Sequence, residues 1–337
     1  MKKHVITMMD VARHAGVSQT TVSLVLNNTE TPNIPDETRQ RVMASVAELG
    51  YRPNVLAQGL RMKRSGVFGF ITDSIAISPH AGKIFEGAQD IAWENDKILI
   101  LVNTKTDPLM EASAVDILLG RRVEGIIYAT MYHRAVTIPA ALRELPMVLL
   151  DCFVEDQQIP SVVPDEFGGG YTAVKYLLEK GHRRIGFINS GDDIPASSGR
   201  FEGYKVALEE HGIPFDPDLV ARSEKHTDNG YPCARVLMQF KNRPTALFCF
   251  NDRTAMGAYD AIRQLNLKIP NDVAVVGFDN QEIISANLYP ALTTIELPHY
   301  QMGVWAVQKL VDILSSNGQV EPIQYKMPCP IIVRDSA

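Results

Sequence analysis

The chain has 337 residues, 45% hydrophobic and 21% charged, enough for two or three globular domains and unlike a disordered polymer. No apolar run reaches the ~20 residues that span a bilayer, and no apolar signal core precedes the first helical pattern, so a cytoplasmic protein with no membrane partner is expected. The net charge of −6 is uneven: residues 1–64 hold nine Lys/Arg against five Asp/Glu, a balance of +4 that leaves −10 for the remainder, and a small basic region of this kind suits nucleic acid.

In chain order, Thr7 caps a first helix with Asp10 three residues on, and Val11, Ala12 and Ala15 give that helix its apolar stripe. Gly16 supplies the positive φ of a tight stop, and Val17 packs beneath the corner. Ser18 caps a second helix whose inner side is Val22, Val25 and Leu26. Its outer side carries Gln19, Thr20 and Ser23 at the end that a recognition helix pushes into the major groove, where amides and hydroxyls meet base edges. A third helix over 36–49 has Asp36 and Glu37 at its positive end and Val42, Val46 and Leu49 inside. Residues 53–65 follow, a segment too short to hold a helix alone, with Gly59 costing it about 1 kcal/mol.

These motifs, Asp10-Val-Ala, Ala15-Gly-Val-Ser, Thr21-Val-Ser, Asn27, Glu48-Leu-Gly-Tyr51 and Pro53-Asn54 with Ala57 and Leu60, resemble those of the lactose-repressor and galactose-repressor family of bacterial transcription factors. The resemblance implies a helix-turn-helix headpiece over 1–52, a hinge helix and linker over 53–65, and an effector-binding and dimerisation core over 66–337. It implies double-stranded operator DNA as a partner, with contacts from Thr7, Ser18, Gln19, Thr20, Thr21, Ser23, Asn27, Tyr51, Asn54 and Ala57. Leu60 would be a minor-groove wedge that unstacks a base step. Two departures stand out: Leu24 occupies a position where many members carry arginine, and the loop over 28–35 is about two residues longer than the lactose repressor's.

Beyond Gly66, short apolar runs alternate with helical patterns. Strands are expected over 67–71, 98–102, 125–128, 147–150, 184–188, 245–250 and 273–277. Helices are expected near 83–94, 111–121, 170–179, 199–211 and 253–264. The fold class is α/β: an all-α headpiece followed by two doubly wound parallel-sheet lobes. Gly181-His-Arg-Arg-Ile-Gly-Phe187, Phe250-Asn-Asp252 and Val276-Gly-Phe-Asp279 extend the family resemblance over this body, and imply a core similar to periplasmic sugar-binding proteins. Crossovers are then expected near 162–164, 290–294 and 319–323, which makes lobe 1 about 66–162 with 294–320 and lobe 2 about 164–290 with 323–337.

Ligands in such sheets sit outside the carboxyl ends of the strands. Arg200, Asn251 and Asp279 fall there, Asp151 ends another strand, and Asp165 follows a crossover; these five are the candidate effector contacts. A carboxylate, an amide and a guanidinium suit a sugar or sugar derivative, while Arg200 could equally fork onto a carboxylate or a purine carbonyl. The bland alternatives are that Asn251 and Asp279 cap the helices that follow them and that Arg200 pairs with Glu202. Among residues 75–85 no individual contact is legible. Trp93 and Trp305 fall in helical stripes and are expected to pack.

An enzyme is not expected. There is no nucleophile elbow or metal-ligand spacing, Gly168-Gly169-Gly170 lacks the rest of a phosphate loop, and His182 precedes a strand in a structural motif. Cys152, Cys233, Cys249 and Cys329 have no paired spacing, so reduced thiols are expected, and no cofactor is implied. The remaining alternative is the solute-binding protein of a sugar transporter, which shares the two-lobed core but should lack the basic helical start. Specific reading of DNA needs two headpieces, hence a homodimer, with Ile84, Phe85, Ala88 and Ile91 as candidate interface residues. The chain ends directly after its last core motif, with no heptad tail for a tetramer.

Overall fold

A computed structural model of the chain describes residues 6–26, 34–51, 65–73, 81–225, 229–316 and 321–337. It divides into two compact units, Met1–Ser65 and Gly66–Ala337. Asn27, Asn54, Ala57 and Leu60 lie outside the described residues, as do the loop over 28–33 and most of the expected hinge.

The first unit is three helices: α1 (Met8–Ala15), α2 (Gln19–Leu26) and α3 (Asp36–Leu49). The Thr7 hydroxyl and the Asp10 carboxylate each accept from the other's backbone amide, a reciprocal cap that satisfies two orphan donors. Gly16 stops α1 at φ 65° and donates back to the carbonyls of Ala12 and Arg13. Val11, Ala12, Ala15, Val22, Val25 and Val42 form one small core, and Arg41 Nε donates to the Ala15 carbonyl at 2.9 Å, tying α3 to the corner of the first two helices.

The second unit begins with β1 (Val67–Thr72), α4 (Ala81–Glu94), β2 (Ile98–Asn103), α5 (Pro108–Gly120), β3 (Gly125–Ala135), β4 (Met147–Phe153) and β5 (Ser161–Pro164). The chain continues through α6 (Glu166–Glu179), β6 (Ile185–Asn189), α7 (Pro195–Glu210), β7 (Val220–Arg222), α8 (Tyr231–Met238) and β8 (Ala246–Cys249). Then come α9 (Asp252–Gln264), β9 (Ala274–Asp279), α10 (Glu282–Ser285), β10 (Thr293–Glu296), α11 (His299–Ser315), β11 (Gln324–Met327) and β12 (Ile331–Ile332).

Two six-stranded sheets result, ordered β11-β5-β4-β3-β1-β2 and β12-β10-β9-β8-β6-β7. All pairings are parallel except β10 with β12. Helices cover the sheet faces, so the central strands are buried and read as unbroken apolar runs.

The first change of lobe falls between β5 and α6, close to where the sequence suggests it. The other two lie later than expected: between β10 and α11 rather than near 290–294, and between β11 and β12 rather than near 319–323. The shift has a physical cause. Strand β10 is built of Thr293 and Thr294 and looks like a turn, but Thr293 N donates to Ser336 Oγ at 2.8 Å and the Thr294 hydroxyl donates to Asp252 at 2.6 Å, which places both polar groups inside lobe 2. Strand β11, with exposed Tyr325 and Lys326, is an edge and carries no apolar pattern.

The glycine run at 168–170 has a packing role. Helices α6 and α7 approach so closely that a Cβ on Gly203 would stand 2.3 Å from the Phe167 carbonyl oxygen, and one on Gly170 2.6 Å from that of Arg200. Backbone cannot yield to such an intrusion. Gly203→Ala is therefore expected to cost about 1–3 kcal/mol, read as a lower urea midpoint with unchanged slope, whereas an unaltered midpoint would mean that the helices can separate freely.

Candidate functional site

On the headpiece, Ser18, Gln19 and Thr20 stand exposed at the start of α2. Ser18 Oγ accepts from the Thr21 amide at 3.0 Å and lies 2.9 Å from the Thr21 hydroxyl, so these two cap the helix while Gln19 and Thr20 present their polar groups outward. Ser23 is only 8% exposed, which corrects its expected place on the outer face: at this end of α2 the buried stripe widens to include it. Tyr51 packs against the three-helix core, and Thr7 is engaged in the α1 cap.

In the second unit a cleft opens between the two sheets. It holds about 810 Å³ of space partly open to solvent, and is lined by Met131, His133 and Asp151 from one lobe and by Glu166, Ser190, Asp192, Arg200, Asn251, Arg253 and Asp279 from the other.

At its centre is Arg200, 3% exposed. Its Nε donates to Glu166 Oε2 at 2.7 Å, one terminal nitrogen donates to the Phe250 carbonyl at 2.5 Å, and the same nitrogen lies 3.8 Å from Asp279 Oδ1. The guanidinium carbon sits 3.6 Å from the centroid of the Phe278 ring and 4.4 Å from that of Phe250, so the cation is also held by aromatic rings. Burial opposes the charge, but Glu166 and Asp279 more than offset it and keep the arginine protonated. Glu202, the partner only under the bland alternative, plays no part here; it pairs with Lys205.

The carboxylates around this cation are under tension. Burial pushes Asp151 well above its ordinary range, aided by Glu166 and Asp73 and resisted by Arg200, and its Oδ1 has no hydrogen-bond partner. Asp151 and Asp279 also hold φ of 56° and 104°, a region that costs most side chains energy and is retained where surrounding structure enforces it, commonly at functional sites. Asn251 does two things at once: its Oδ1 accepts from the Thr254 amide at 2.8 Å as the cap of α9, and its side chain also lines the cleft. Behind it Asp252 is pushed up to about 8 by burial and then by Asp279, and accepts from Gln281 N and the Thr294 hydroxyl.

Compared with known proteins, residues 7–54 match the lacI family of bacterial regulatory proteins, and residues 174–337 match a periplasmic binding protein-like domain. The HTH-type transcriptional repressor PurR of Histophilus somni is 31% identical over 334 residues, 98% of each chain. The HTH-type transcriptional regulator RegA of Clostridium saccharobutylicum is 33% identical over 333 residues, again 98% of each. The chain belongs to the lacI family.

Among solved structures, the Lac repressor dimer bound to operator and the anti-inducer ONPF superposes with a TM-score of 0.81 at 27% identity, covering 99% of both chains. A transcriptional regulator CelR–cellobiose complex matches with a TM-score of 0.68 at 27% identity, over 98% of this chain and 100% of that one. As a lacI-family member the protein is a ligand-responsive, DNA-binding transcriptional regulator and not an enzyme, and its headpiece removes the transporter alternative.

Of the expected effector residues, Arg200, Asn251, Asp279 and Asp151 converge on the cleft. Asp165 does not line it. Its carboxylate accepts from the Gly168 amide at 2.9 Å and caps α6, the fate a carboxylate before a glycine-rich helix start would suggest. Among the cleft residues without a sequence signal of their own are Glu166, which reaches Arg200 only through the fold, and His133, brought in by an irregularity of β3. Trp93 is 72% exposed, contrary to its expected packing role, while Trp305 packs on the lobe 1 core and stacks on Tyr325. His182 is bound to Thr245 in a loop, and all four cysteines are free thiols.

Burial first, and then the Lys326 charge, push His133 down to about 4. The unfolded chain takes up a proton near 6.5 that the folded state refuses, so this histidine's contribution is complete above that pH and is lost as the pH falls towards about 4. Wild-type protein should lose more of its urea midpoint between pH 7 and pH 5 than His133→Gln does, and equal losses would show that His133 titrates normally.

Proposed function

We propose that this regulator is a cytoplasmic repressor of carbohydrate uptake or catabolism genes, bound to operator DNA as a homodimer, with a neutral saccharide in the interlobe cleft setting its DNA affinity. The observation that carries the saccharide reading is the charge of the cleft. Among the described residues that line it, the carboxyl groups of Asp151, Glu166, Asp192 and Asp279 outnumber the two arginines, Arg200 and Arg253, and Arg200 is already committed to Glu166 and Phe250. Such a wall offers an anionic ligand few positive partners, while its carboxyl groups and the Asn251 amide suit hydroxyls. The relative solved with cellobiose supports the same chemistry.

For DNA, the reading rests on Gln19 and Thr20 as base contacts from the exposed start of α2, with Ser18 and Thr21 fixing the helix they stand on. The contacts proposed for Asn27, Asn54, Ala57 and Leu60 rest on the family resemblance, as the structure does not describe those residues.

A dimer is supported by apolar side chains in solvent on both lobes. In lobe 1, Leu109 is 79% and Ile117 55% exposed on α5, beside the edge strand β2; in lobe 2, Ile283 is 79% exposed. These residues replace Ile84 and Ala88, which are fully buried in the lobe 1 core and cannot reach a partner. The Lac repressor relative was solved as a dimer on its operator.

Gel retardation of promoter fragments from the organism's own genome, with and without neutral saccharides, tests the whole reading. A retarded fragment whose shift responds to a sugar is expected, and retardation of no fragment would overturn it. On such a fragment Gln19→Ala should weaken binding by about 1–3 kcal/mol and relax one base position, whereas unchanged affinity would remove Gln19 from the interface. Sedimentation equilibrium at micromolar protein should give about twice 37.3 kDa, and a dominant monomer or tetramer would refute the assembly.

A further inference from the structure

Among the described residues, one wall of the cleft has a construction that no other strand pairing shares. Strands β3 and β4 pair regularly up to Ala129 with Leu150 and resume at Arg134 with Cys152, so residues 130–133 stand opposite Asp151 alone. The bulge is fixed from below: the Thr130 hydroxyl donates within it to the Tyr132 carbonyl at 2.8 Å, and the same oxygen lies 2.9 Å from the Asp151 carbonyl. A bulge of this kind re-aims side chains, and His133 is brought to the cleft lining together with Met131 and Tyr132.

The imidazole is held edge-on to the Phe153 ring, with centroids 5.3 Å apart at 70°. Its Nε2 is buried and has no hydrogen-bond partner, and the same is true of Asp151 Oδ1 on the neighbouring strand. Among the described residues only one other side-chain atom, Thr72 Oγ1, shares that state, and Thr72 does not line the cleft. Buried polar atoms without partners are rare, and two on adjacent strands, both on residues that line one cleft, point to a ligand that supplies the missing partners. In the tautomer that carries the ring proton on Nδ1, Nε2 is an acceptor that a ligand hydroxyl can meet.

We propose that His133 determines the specificity of the effector site: its Nε2 accepts from one hydroxyl of the saccharide while Asp151 Oδ1 bonds the adjacent hydroxyl. This deepens the saccharide reading above and rests on it. The pair selects ligands with two neighbouring hydroxyls on the edge that meets β3 and β4. A ligand lacking the first hydroxyl leaves Nε2 buried and unpaired, the kind of mismatch that discriminates strongly.

The test starts from a thermal-shift panel of D-glucose, D-galactose, D-ribose and cellobiose with wild-type protein, followed by calorimetric titration of the strongest binder and its monodeoxy analogues. His133→Phe, which keeps the ring and removes the acceptor, should weaken the parent sugar on the order of tenfold. For one deoxy analogue, wild type and His133→Phe should bind alike, since that analogue lacks the contacted hydroxyl. His133→Gln retains an acceptor and should recover most of the affinity. A merely structural histidine would lower affinity for parent and all analogues together. That pattern, or undiminished parent affinity in His133→Phe, overturns the assignment while leaving the saccharide reading intact. Absence of any thermal shift with the four sugars in wild type overturns both.

Discussion

The buried guanidinium of Arg200 is the constraint on which the effector cleft depends. It touches elements that lie far apart in sequence: Glu166 at the start of α6, Phe250 at the end of β8, and Phe278 with Asp279 at the end of β9. Removing one member of a buried charged pair typically costs about 3–5 kcal/mol, because the partner is left uncompensated, and here the cation has Glu166, Asp279 and Asp151 about it. The same pair contributes little net stability compared with an apolar replacement. Its value is positional: it holds carboxylates and an aromatic floor in a fixed arrangement before any ligand arrives.

That arrangement is costly at the cleft. Asp151 and Asp279 have left-handed backbone angles, and Asp151 Oδ1 and His133 Nε2 are desolvated without partners. A ligand that satisfies those atoms gains more than the same contacts would give in water. For such binding to change DNA affinity it must favour one arrangement of the lobes over another, and the crossings between β5 and α6, β10 and α11, and β11 and β12 are where the chain could absorb a rotation.

Much of this was legible in the sequence wherever local chemistry and tertiary role agree. The Thr7–Asp10 cap, the Gly16 stop and the Val22 and Val25 stripe are local signals, and each does in the fold what its spacing suggests. The central strands were legible because burial on both faces makes them continuous apolar runs. Edge strands β7 and β11 were not, since one side faces water and their residues carry no pattern. Capping and ligand binding use the same residue types at the same strand ends. Sequence could therefore not separate Asn251, which both caps α9 and lines the cleft, from Asp165, which only caps α6. Glu166 and His133 escaped notice for a different reason: one acts across 34 residues of chain, and the other depends on a bulge visible only in the register of two strands.

The central claim is that chemistry in the Arg200 cleft governs DNA binding by the separate helical unit. It is tested most directly by fluorescence anisotropy of an operator fragment titrated with a stabilising saccharide, in wild type and in Asp279→Asn. The substitution keeps the side chain's shape but turns half of its acceptor capacity into a donor. The account predicts that the variant binds the operator as wild type does and that its affinity no longer responds to the sugar. A full sugar response in Asp279→Asn would contradict it.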